Sequence, residues 1–192
     1  MVTSLDTRRR PTRGMGYECS RRLETKTCES RKESMPMPGG SAAARLRELR
    51  IVLPPPPTPL GAYVESSAVG NLLFLSGILP VVNRTLAVKG RLGDGLSVED
   101  GRNAARIAAL NALAVARQHV GDLDRVRKLV KLTVLMATTE QFTEHAPVAD
   151  GASDLFVEIF GPEAGHVRLV YGVQSLPVGA PLIVDTVFEI AP

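Results

Sequence analysis

The sequence predicts an α+β domain in which a mixed β-sheet carries both of its helices on one face. Three observations predict it. Apolar runs of strand length recur along the body, three before the first long helical stretch, one between the two and two after the second. The resulting order, β-β-β-α-β-α-β-β, groups strands around two helices rather than alternating them regularly. The chain has 192 residues, 44% hydrophobic and 22% charged, enough to build one core without disulfides or metal.

Each element has its own signal. Ala42–Arg50 suits a short helix, and Pro54–Pro57 with Pro59 forces an extended polyproline stretch. Tyr63–Ser67 reads as a strand, Gly70-Asn71 as a turn and Leu72–Gly77 as a short buried strand. Asn83-Arg84 reads as the next turn, with Leu86–Val88 returning, and Gly90–Gly95 as a loose glycine-rich loop. Ser97 with Glu99 and Asp100 is a helix start, and Gly121 ends the Ala/Leu-rich helix that follows. Val126–Met136 alternates, with Val130, Leu132, Val134 and Met136 on one face. Thr138 with Gln141 has the spacing of a second cap, and Pro147 is expected to delay the helix whose stripe is Ala152, Leu155, Phe156 and Ile159. Phe160-Gly161-Pro162 stops it, and Val167–Val173 and Leu182–Ile190 are the final strands. The second face of such a sheet also carries Leu and Val, and further subunits are its simplest cover.

Charge divides the chain. Residues 1–34 hold nine Lys/Arg against five Asp/Glu, and the remaining residues hold 14 against 15. The basic excess therefore belongs to an Arg/Ser-rich leader, read with the next few residues as a disordered N-terminal extension over 1–42 or a start assigned too early. Residues 43–192 are read as one domain. Cys19 and Cys28 both lie in the leader without a nearby His, so a thiol nucleophile or disulfide in the body is excluded and structural zinc is not expected. No apolar run is long enough for a membrane span and no secretory core precedes the body, which reads as cytoplasmic. A near-neutral body with few aromatics does not suit a nucleic-acid platform.

Two charges stand inside apolar strands, Arg168 in one and Asp185, flanked by Ile183 and Val187 on its face, in the other. A buried charge needs a partner, so each is the other's partner, a structural ion pair or a ligand group, unless its strand is an edge whose charged face is simply wet. The Arg fork grips carboxylates through two parallel hydrogen bonds. His119, His145 and His166 lack metal-ligand spacing. Gly90–Gly95 fits no phosphate-binding pattern, and no Gly-x-Ser-x-Gly elbow occurs.

Gly61-Ala62-Tyr63-Val64, Gly70-Asn71-Leu72, Leu75-Ser76-Gly77-Ile78-Leu79-Pro80, Gly121-Asp122-Leu123, His166-Val167-Arg168 and Leu176-Pro177 resemble motifs of the Rid/YjgF family, in that family's order. Asp150–Leu155 with Val157–Gly161 resembles its subgroup of about 150 residues, and the likeness runs from about Leu53 to Ile190. The resemblance implies a chorismate-mutase-like fold and a homotrimer whose sheets form a central barrel, with ligand sites between subunits. It implies hydrolysis of enamines and imines to 2-keto acids and ammonia, without metal or organic cofactor. By the same resemblance Arg168 clamps the substrate carboxylate and Asp185 positions or activates water. Tyr63, Gly77, Ile78, Asp150 and Val170 line the cleft. The chain departs from the family pattern at Ile78, where Gln is usual, at Asp150, where Asn is usual, and at Asp185, where Glu is usual. The rival readings are a trimeric protein that binds a small carboxylate without turning it over and, less favoured, an RNA-acting translation inhibitor.

Overall fold

The computed structural model describes residues 41–192; the basic leader, both cysteines and the Pro36–Gly40 breaker cluster lie outside the described residues. Ser41 caps α1 (Ala42–Glu48), its Oγ accepting from the Ala44 amide. Arg45 Nε donates to the Glu158 carbonyl, fastening α1 to a later helix.

β1 (Ser66–Val69) and β2 (Leu72–Leu75) form a hairpin across Gly70-Asn71, where Gly70 takes a φ of 61°. The first strand starts three residues later than the sequence predicts. The Val64 and Glu65 carbonyls are engaged instead by the Ser76 hydroxyl and amide. β3 (Val81–Val82) and β4 (Thr85–Leu86) make a second hairpin, whose turn residues Asn83 and Arg84 both have positive φ, as the mirror-image tight turn requires. The Gly90–Gly95 stretch is not a loose loop. It holds β5 (Arg91–Leu92) and β6 (Gly95–Leu96), paired in parallel, with Leu92 fully buried and its carbonyl accepting from the Thr139 amide.

α2 (Val98–Val120) begins at a reciprocal capping box between Ser97 and Asp100 and stops at Gly121. Its buried face is rich in alanine, which lets other elements approach closely. After a 3-10 turn at Leu123–Arg125 comes β7 (Val126–Ala137). Two register shifts in its pairing change which side chains face the core: Leu129 is buried, and Val130, expected there, is only half-buried. α3 (His145–Phe160) starts earlier than Pro147 suggested, because that proline falls in the first turn, where no helical partner for its missing N–H is needed. The Thr138–Gln141 cap does not form; Glu144 precedes the helix without a side-chain cap.

β8 (Val167–Val173) and β9 (Leu182–Ile190) complete a five-stranded sheet of order β1-β2-β9-β7-β8. Only β7 and β8 run parallel within it. The sheet of one chain is open, with β1 and β8 as edges, and does not close into a barrel. α2 and α3 cover one face, as predicted, while α1 is a third helix, packed on α3. Phe156, Phe188, Leu113, Leu132 and Met136 fill the core between layers. The other face exposes Phe74, Val167, Leu169 and Tyr171.

Candidate functional site

Strand register decides which candidate residues can meet. Arg168 pairs with Leu132, which pairs with the fully buried Thr186, so Arg168 shares the helix-covered face. Asp185 pairs with Thr133, which pairs with Leu169, on the other face. Of the alternatives left open by the sequence, that Arg168 and Asp185 partner each other does not hold within a single chain: the sheet lies between them.

Arg168 finds its partner on α3. Because β8 is an edge strand, the long side chain reaches past the sheet to the adjacent helix, keeping 26% of its side-chain surface exposed. Nη1 donates to Asp150 Oδ1 at 2.6 Å and to Ser153 Oγ at 3.1 Å. Asp150 and Ser153 are three residues apart on α3 and so share a face. Ser153 Oγ also lies 3.1 Å from His166 Nε2. Burial, and secondarily the nearby Arg168 charge, hold the His166 pKa below its ordinary value. In the neutral ring the tautomer decides whether Nε2 accepts from the Ser153 hydroxyl or donates to it, and Ser153 Oγ takes a hydrogen from Arg168 in either case. Phe156 meets the imidazole edge-on, with ring centres 6.4 Å apart. Both Arg168 contacts use Nη1; among the described residues nothing accepts from its Nε–Nη2 edge, the one suited to a carboxylate. Val170, two residues on, packs against the core from the same face. Ser153 escaped the sequence reading; its spacing from Asp150 was the available signal.

Tyr63, Gly77 and Ile78 gather elsewhere, beyond the C-terminal end of β2, with β9 and β7 separating β2 from β8. Ile78 prolongs the pairing with β9: its amide donates to the Val184 carbonyl and its carbonyl accepts from the Val184 amide. Its side chain is buried, so it forms a wall and offers no polar group. A Cβ at Gly77 would stand 2.7 Å from Ile183 Cγ2, making Ile183, not Asp185, the β9 side chain beside that glycine. Tyr63 is half-exposed and its hydroxyl accepts from the Leu60 amide. These residues border a cavity of about 540 Å³.

The other histidines have structural surroundings. His119 Nδ1 is 2.9 Å from Ser66 Oγ, and His145 packs edge-on against Phe142. Among the described residues no group of three His, Cys, Asp or Glu side chains could hold a metal ion, and no helix is long and apolar enough to cross a membrane.

A family profile described as "YjgF/chorismate mutase-like, putative endoribonuclease" matches residues 43–190. The chain is 41% identical over 152 residues to Protein TCP17 of Trypanosoma cruzi, covering 79% of this chain and 95% of that one. It is 30% identical over 134 residues to the RutC family protein y4sK of Sinorhizobium fredii, covering 70% and 91%. A solved structure from Shewanella oneidensis, described as a "putative endoribonuclease", superposes with a TM-score of 0.75 at 32% identity, covering 79% of this chain and all of that one. The chain belongs to the Rid/YjgF family.

Proposed function

We propose that the protein is a deaminase for small imines or enamines bearing a carboxylate. The observation that carries this reading is Arg168: a guanidinium anchored through one nitrogen by Asp150 and Ser153, with its bidentate edge unused by the described residues. In the reaction water adds to the imine carbon, forming a C–O bond and a tetrahedral carbinolamine. The C–N bond then breaks, nitrogen leaves as ammonia after taking up protons, and the water oxygen becomes the keto oxygen. The imine carbon is already electrophilic, so holding the carboxylate and exposing one face to water supplies much of what is needed.

Asp185 reaches a substrate held by Arg168 only if another copy of the chain brings it there. We propose a homotrimer that covers the apolar outer face and unites the Arg168 cluster of one copy with the Tyr63–Gly77 cluster of the next. Exposed Phe74, Leu169 and Tyr171 support that association. A second reading, a carboxylate-binding protein without turnover, is favoured by the apolar Ile78 and Ile183 beside Gly77 and by the position of Asp185.

Assaying the purified full chain with 2-imino acids generated by an amino-acid oxidase tests the proposal, with R168A alongside. Accelerated keto-acid and ammonia release by wild type alone supports the deaminase. Arg168-dependent carboxylate binding without turnover supports the binding protein, and wild-type turnover by R168A removes the clamp.

A further inference from the structure

Resting on the carboxylate reading above, we infer that the cavity beside Gly77 receives the side chain of the substrate, and that the substrates are imines of medium-length aliphatic or aromatic 2-amino acids rather than the smallest ones. The cavity, at about 540 Å³, has the size of a small-molecule pocket. Its walls are largely apolar, with Glu65, Asn83 and Arg84 among the polar residues that border it. α2 contributes Ile107 and Leu110, both only half-buried and so left with apolar surface outside the main core. The β3 strand contributes Val81 and Val82, and the polyproline segment closes the opposite side.

Two features hold this space open. Consecutive prolines have fixed φ and no backbone N–H, so Pro54–Pro57 forms a stiff wall with no amide donors. The β3–β4 hairpin is pinned from below by Asn111, 1% exposed, whose Nδ2 donates to the Leu79 carbonyl at 3.0 Å and the Val81 carbonyl at 2.9 Å. The amide donors are spent on the hairpin, so they set the wall without advertising for a polar ligand. Tyr63, Ser76 and Gly77 border the same cavity, which joins it to the cluster proposed to face the reacting head of the substrate. A carboxylate-bearing head outside and an apolar tail inside is the ligand this arrangement fits.

Calorimetric titration of the full chain with straight-chain carboxylates from acetate to octanoate tests it. Each methylene entering the cavity should tighten binding about fourfold, levelling off when the space is full. L110W narrows the cavity and should reduce the octanoate-to-acetate affinity ratio at least about tenfold; I107F should do the same if L110W fails to fold. R168A should weaken binding about a hundredfold or more at every length. Arg168-dependent binding with a flat chain-length response, as expected if another segment or a second copy fills the cavity, overturns this inference and leaves the deaminase reading standing. An unchanged ratio in folded L110W or I107F also overturns it. Binding at no length overturns the carboxylate reading itself.

Discussion

Gly151→Ala places a carbon where α2 and α3 cross at backbone contact. An ideal Cβ at this position would sit 2.0 Å from the Arg102 carbonyl oxygen and 2.8 Å from its carbon. Reaching the 3.4 Å of ordinary contact requires about 1.4 Å of separation from that oxygen, and a backbone carbonyl cannot rotate away as a side chain would. Overpacking of this kind costs about 1–3 kcal/mol, and the rigid obstacle puts it at or above the top of that range. Alanine regains about 1 kcal/mol over glycine inside a helix, leaving a net loss of about 2 kcal/mol or more. For a domain of about 150 residues that corresponds to a Tm lowered by about 4–8 °C. Asp150 and Ser153 flank the substituted residue, so ligand affinity at Arg168 should weaken as well. Urea unfolding of G151A beside G165A measures the difference, since a Cβ at Gly165 meets nothing within 4 Å. A G151A stability within about 0.5 kcal/mol of wild type refutes the backbone-crossing argument.

Other outcomes follow from the same contacts. R168A should lower carboxylate affinity about a hundredfold or more, the value of two charge-assisted hydrogen bonds, and R168K should recover only part of it because lysine lacks the fork; direct titration decides both. His166 has a folded pKa below its unfolded one, so its contribution is fully present above the ordinary imidazole pKa and is lost as pH falls below it. Wild type should therefore weaken between about pH 7 and pH 5 more than H166Q does in parallel denaturant melts. S97A removes the α2 cap and should cost about 1 kcal/mol in chemical unfolding. F74K and L169E should each shift the protein toward monomer in light scattering; an unchanged mass contradicts the proposed use of the outer face.

Much of the fold is legible because its signals are local. Ser97 with Asp100 announces α2 and Gly121 ends it, both within one turn of the residues concerned. Alternation along Leu182–Ile190 survives intact in β9, whose burial strictly alternates. The site is less legible because it depends on relations between strands. Nothing within β8 or β9 reveals that Arg168 stands beside Leu132 and Asp185 beside Thr133, one position apart on β7 and hence on opposite faces. The bulges near Leu129 and Lys131 are equally silent, since a one-residue slip is visible only against the partner strand. The family resemblance points to Asp150, whereas its ion pair with Arg168 depends on the helix lying along the edge strand.

The central strand of the sheet is made last. β2 pairs with β9 through contacts such as Leu72 with Glu189, 117 positions apart (189 − 72), and β9 also pairs with β7. During synthesis the first hairpin and β7 emerge with a gap between them that only β9 fills. Until β9 is made, the nascent chain consequently carries unpaired strand edges on both sides of the empty place, which exposes it to mispairing.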